Sequence, residues 1–155
     1  MSSAPVDRLE LARWEADRHA AVLSEALAAW DRLGEAEIHA VETDPELRRL
    51  TDQLLFRFIK LQDCIGERLV PATLGHLAEP YEDKPMRDRL DRLEKLGCLR
   101  SEDWLRWRET CNRLAHEYPD APAQRLAQLQ SAIDSAAGLL QACRHWVARL
   151  IQLSP

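Results

Sequence analysis

Between Val6 and Leu33 the apolar residues Leu9, Ala12, Trp14, Ala16, Ala20, Leu23, Leu27 and Trp30 recur mostly at steps of three and four. That is the period of a helix with one buried stripe. Pro5 precedes the pattern and Gly34 follows it, so a long first helix is expected over 6–33. Glu35 to Glu42 has no clear period and suits a short helical turn. In "TDPELRRL", Asp44 has the chemistry of an N-cap and Pro45 that of a first helical residue, whose missing N–H costs nothing there. The helix that follows runs to about Val70 on the stripe Leu47, Leu50, Leu54, Phe58, Leu61, Ile65 and Leu69. Leu55, Phe56 and Ile59 widen its apolar surface beyond one face, which places it centrally in a bundle or at an interface.

The pattern breaks over 71–85, where "LAEPYEDKP" joins prolines to a charge cluster and an irregular loop is expected. "MRDRLDRLEKLG" reads as a short amphipathic helix closed by Gly97. Ser101 is placed to cap the next helix, "EDWLRWRETCNRLAHEY", which Pro119 ends. A last long helix starts at Asp120 or Ala121 with Pro122 near its first position, and its stripe includes Leu126, Leu129, Ile133, Ala137, Leu140 and Trp146. No repeat or domain boundary interrupts this order. The reading is one all-α domain over 1–155, a bundle of four or five helices.

Composition agrees: Leu, Ala, Arg and Glu abound, Val, Ile and Tyr are scarce, and 155 residues suffice for one real core. The net charge of −5 lacks the basic excess of a general nucleic-acid binder, although 21 Lys and Arg residues leave room for a local basic cleft. Cys64, Cys98, Cys111 and Cys143 form no CxxC pair and no zinc-finger spacing, so no metal site is expected. They read as free thiols of a reducing cytoplasm. "MSSAPVDRLE" has no basic n-region or apolar run, and no apolar stretch reaches a membrane span, so a cytoplasmic chain without membrane association is expected. His19, His39, His76 and His145 are isolated and read as surface or packing residues.

Chemistry concentrates in "CNRLAHEY", Cys111 to Tyr118. At about 100° per residue, Trp104, Trp107, Cys111, Leu114, Ala115 and Tyr118 gather on one side, the expected buried face. Arg108, Asn112 and His116 are spaced i, i+4, i+8 and form one polar row beside it. The plain reading is local: Asn112 and His116 cap backbone groups while the stem of Arg108 covers apolar surface. The chemical reading assigns proton exchange to His116, orientation or phosphate binding to Asn112, and phosphate charge to an arginine. Those are the groups that metal-free RNA cleavage needs, and a two-fold dimer would bring two copies face to face.

"CNRLAHEYP", with "FRFIKLQDCIGERL" and "RLEKLGCLRSEDWLRWRETCNRLAHEYPD", resembles the HEPN-domain proteins over most of the chain. The most similar branch is the HepT-like toxins paired with MntA-type minimal nucleotidyltransferases. The resemblance implies a HEPN-like helical bundle and a homodimer whose composite cleft cuts RNA, often tRNA, without metal or cofactor. The family motif is Arg, four residues, His, one residue, Tyr. His116 and Tyr118 match it, and Asn112 matches the polar residue that commonly follows the arginine. The arginine position itself is Cys111, and a neutral thiol does not neutralise phosphate.

Arg108, one turn earlier on the same side, is the expected substitute, whereas Arg113 falls on the far side of His116. The alternative is lost catalysis and a binding role. In the paired systems the nucleotidyltransferase adds AMP to the motif tyrosine, which makes Tyr118 a modification candidate beside its plainer role as a packed ring. Asp63 of "KLQDC" is expected to face the cleft from the second long helix, with Arg57 and Lys60 extending a basic lining. A solvated helix face is the other reading of all three.

Overall fold

A computed structural model describes residues 7–114 and 119–153. Helix α1 spans Arg8–Asp31 and the short α2 spans Glu35–His39. Helix α3, Pro45–Cys64, continues through a π turn, Ile65–Leu69, into α4, Val70–His76. Then come α5 (Met86–Lys95), α6 (Ser101–Arg113) and α7 (Pro122–Gln152). The described residues contain no strand, and the architecture is an all-α bundle. None of the described helices is long and apolar enough to cross a membrane.

Local chemistry sets the helix ends. Asp7 caps α1, its carboxylate accepting from the N–H of Leu9 at 3.0 Å and of Glu10 at 3.4 Å. Asp44 does the same for α3, accepting from Glu46 N at 2.8 Å and Leu47 N at 3.3 Å, with Pro45 first in the helix as expected. Gly97 closes α5 at φ +81°, where the Cys98 N–H donates to Leu93 O at 2.9 Å and the Gly97 N–H to Glu94 O at 3.0 Å. Ser101 does not cap α6 with its own hydroxyl. It lies inside the helix and donates through Oγ to Asp91 Oδ1 at 3.0 Å, while its N–H donates to Glu94 Oε1 at 3.2 Å. The carboxylates of α5 therefore serve the start of α6, a tertiary cap with no local signature.

The irregular loop expected over 71–85 is corrected to 77–85. Helix α4 runs through Pro71 to His76 because the preceding turn is wide: the Val70 N–H donates five residues back to Ile65 O. A proline brings no N–H and crowds the carbonyl of a regular preceding turn, and a π turn relieves both demands. Burial of Val70, Thr73 and Leu74 holds α4 in place, and the Trp146 indole N–H donates to Thr73 Oγ1 at 3.1 Å.

The core fills the space between α1, α3 and α7, with Leu23, Leu54, Phe58, Leu61, Leu139 and Trp146 nearly inaccessible. Trp104 of α6 enters against Gly66 of the π turn, where an added Cβ would meet its ring at 3.0 Å. Two expected core positions are outside. Trp14 is 61% exposed because it stands about 200° around α1 from Ala12, opposite the buried stripe. Ala137 is exposed because the buried face of α7 centres on Ala136, Cys143 and Leu150, to one side of the stripe read from the sequence.

Candidate functional site

Helix α6 carries Arg108, Cys111 and Asn112 to the side of the bundle where it meets α3. Trp104 and Trp107 bury the inner face of α6, and Gly138 of α7 makes room for the Trp107 indole. Arg108 and Asn112 stand in solvent one turn apart, and Cys111 is half-buried between the polar row and the core. Burial pushes the Cys111 thiol up to about 12. The Asp63 carboxylate of α3 adds to that rise and the Arg108 guanidinium opposes it. Asp63, Arg108 and Cys111 thus form one electrostatic cluster across two helices. The thiol itself is neutral at any physiological pH and contributes no charge.

The other lining candidates do not join this cluster. Arg57 turns to α1, where its Nη1 donates to His19 Nδ1 at 2.9 Å, and its guanidinium also lies 5.6 Å from the Phe56 ring centre. The Lys60 ammonium sits 5.6 Å from the same ring. Arg113 lies along the outer side of α6, paired with Glu109 at 2.6 Å. His116 and Tyr118 lie outside the described residues.

Two further arrangements had no sequence signal. Arg125 of α7 makes a two-pronged pair with Glu42, Nε to Oε1 at 2.8 Å and Nη2 to Oε2 at 2.9 Å. The hydrogen bonds of Arg125 hold the Glu42 carboxyl below its ordinary range. The same guanidinium donates from Nη1 to Pro119 O at 2.9 Å, so the chain just after the motif is fastened to the α2–α3 connection. The second arrangement is His19, read as isolated. It is 6% exposed and belongs to a chain of polar contacts across α1 and α3. Since arginine only donates, Nδ1 of His19 is the acceptor and Nε2 carries the proton. That nitrogen stands 3.8 Å from Glu15 Oε1, and Glu15 pairs with Arg68. Burial first, then Arg57, holds the His19 imidazole below its ordinary value of 6.5.

Comparisons with protein-family models, with curated proteins and with solved structures return no match. Functional inference therefore rests on the site. Among the described residues no group of three or more His, Cys, Asp or Glu side chains is arranged to hold a metal ion. Cavities of about 720, 600 and 570 Å³ are lined by residues other than Asp63, Arg108, Cys111 and Asn112. Within the cluster Arg108 and Asn112 are exposed. The cluster offers a permanent cation, an amide and a carboxylate.

Proposed function

We infer that the chain is a HepT-like HEPN component of a toxin–antitoxin pair, a metal-independent RNase in design whose activity is reduced or lost. The observation that carries this reading is the Asp63–Arg108–Cys111 cluster. Arg108 lies close enough to Cys111 to act on its thiol, so a cation stands beside the position where the motif requires one. Guanidinium is the group best suited to a phosphodiester, being always charged and able to donate two parallel hydrogen bonds. In this scheme His116 exchanges the proton of the RNA 2′-hydroxyl, Asn112 orients the phosphate, and Arg108 offsets its charge from one turn away. Displacement of the cation by a turn, together with the carboxylate of Asp63 beside it, weakens phosphate binding and lowers the rate.

Exposed apolar side chains on α3 and α6 support a homodimer. Phe56 on α3 is 52% exposed, Leu105 precedes Arg108 on α6 with its side chain also outside, and Leu55 and Ile59 are half-buried between α3 and its surroundings. Apolar surface around a charged cluster suits a contact in which two copies close one cleft. Further elements of the proposal are a tRNA-like substrate, an MntA-type nucleotidyltransferase partner that adds AMP to Tyr118, and a cytoplasmic setting.

The test is incubation of the purified chain with tRNA beside a His116→Ala control, with light scattering on the same samples. Cleavage that disappears in the control, from a dimer, is expected. Identical RNA stability in both samples removes residual cleavage and leaves lost activity, which the gain of cleavage on Cys111→Arg then tests, and a monomer at micromolar concentration overturns the composite cleft. One observation favours a second reading: the residue in the arginine position is a neutral, half-buried thiol. On that reading the bundle is a non-catalytic module that binds a nucleotidyltransferase partner or a nucleotide.

A further inference from the structure

Helix α6 ends at Arg113 and α7 starts at Pro122, so the second half of the motif falls in the connection between them. Both flanks of that half are bonded to one turn of α7. The Gln128 side-chain amide donates to Arg113 O at 2.6 Å, and Arg125 Nη1 donates to Pro119 O at 2.9 Å. The two donors stand three residues apart on one side of α7, roughly 4.5 Å along its axis. The Arg113 carbonyl is among the final carbonyls of α6, which lack partners within the helix. Pro119 has no N–H, so its carbonyl is the one backbone group by which it can be held.

Arg125 is itself fixed. Its Nε and Nη2 reach the two carboxylate oxygens of Glu42, in the α2–α3 connection, at 2.8 and 2.9 Å. Hydrogen bonding to Glu42 holds the guanidinium above its ordinary range; burial opposes this, and the charge of Asp120 adds to it. A two-pronged pair sets the plane of the guanidinium fork, and with it the direction of the remaining N–H groups. Exposed pairs of this kind add little to global stability. What they fix here is local: backbone points 113 and 119 are tied to one helical turn, and the five residues between them include His116. A proton-exchanging imidazole works only within hydrogen-bond reach of its proton, and an error of about 1 Å can cost about a hundredfold in rate.

We propose that Arg125 and Gln128 are positioning residues that set the orientation of the His116 ring, with Glu42 holding Arg125 in place. The use of that ring in RNA cleavage rests on the function proposed above, whereas its placement does not. The test therefore follows the ring. Histidine ¹H–¹³C NMR spectra are recorded for the natural chain, Gln128→Ala and Arg125→Lys, with His116→Ala to assign the signal. Both changes preserve net charge, so a displaced signal is not a field effect. A lysine ammonium does not hold both Glu42 oxygens and Pro119 O in the arginine geometry. Arg49→Lys, which alters an exposed pair with Glu46, is the control. Gln128→Ala and Arg125→Lys should each displace the His116 ring signals at an unchanged urea midpoint. The signals of His19 and His145, bonded to Arg57 and to Gly97, should stay in place. Where cleavage of tRNA is measurable, the same two changes should lower kcat about tenfold to a hundredfold and leave KM unchanged. A His116 signal that neither change moves overturns the proposal. Displacement shared by His19 and His145, or produced equally by Arg49→Lys, marks general loosening and overturns it as well. Displaced His116 signals in a chain that cuts no RNA, even as Cys111→Arg, uphold the positioning role and remove the ribonuclease reading.

Discussion

Asp63 on α3 and Arg108 on α6 act with opposite sign on one thiol, that of Cys111. The relationship ties the two helices of the candidate site together and gives the thiol a measurable signature. Cys111 is the half-exposed cysteine of the chain, whereas Cys64, Cys98 and Cys143 are buried. Its thiol at about 12, against the ordinary 9.0, lowers the thiolate fraction near neutral pH on the order of a thousandfold. Alkylation of Cys111 by iodoacetamide, followed by peptide mass spectrometry, should be correspondingly slow beside a free thiol. Asp63→Asn should speed it and Arg108→Ala should slow it further. Equal rates in all three chains would dissociate Cys111 from both charges.

The His19–Arg57 hydrogen bond predicts the acid side of the stability profile. The folded imidazole titrates below 6.5, so unfolding takes up a proton that the folded state resists. The neutral His19 contribution is fully present above about pH 6.5. It is lost as the pH falls from there through the lowered folded-state value. Arg57 and Arg18 disfavour the charged ring and Glu15 favours it, after burial as the leading cause. Urea midpoints at pH 7.5 and 5.5 should diverge more for the natural chain than for His19→Gln, and equal divergence would remove His19 from the account.

Gly66 meets Trp104 at the π turn so closely that an added methyl group requires the indole to give by a few tenths of an ångström. An added Cβ lies 3.0 Å and 3.3 Å from two carbons of the indole, whose ring is buried and has little room to withdraw. Gly66→Ala should cost about 1–3 kcal/mol in urea unfolding, the usual range for overpacking. Trp104→Leu beside it should recover part of that loss relative to Trp104→Leu alone. Gly66→Ala without a change in midpoint would show that the π turn yields.

Much of the bundle is legible in the sequence because its punctuation is local. Asp44 and Pro45 start α3, Gly97 ends α5, and Ala121 and Pro122 start α7, each through backbone chemistry within a few residues. The features that escape are those decided across the fold. Pro71 reads as a stop, yet the π turn and the buried Thr73–Trp146 bond carry the helix past it. Ser101 reads as its own cap, yet α5 supplies the carboxylates. Arg57 reads as cleft lining, yet its guanidinium is held by His19, 38 positions away. Of the candidate site, the Asp63 carboxylate acts on the Cys111 thiol of α6, while His116 and Tyr118 lie outside the described residues. The pairing of Arg125 with Glu42 spans 83 positions, and no local pattern announces it.

The central claim, that this is an RNA-cleaving strip with a thiol where its phosphate-binding arginine belongs, is tested most directly by Cys111→Arg. The rate of tRNA cleavage is measured for the natural chain, for Cys111→Arg, and for Cys111→Arg with His116→Ala. Restoring a preorganised cation at the phosphate should raise the rate by about 10²–10³, the usual effect of one such group, and loss of His116 should abolish the gain. No cleavage by Cys111→Arg, or a gain that survives without His116, would contradict the account.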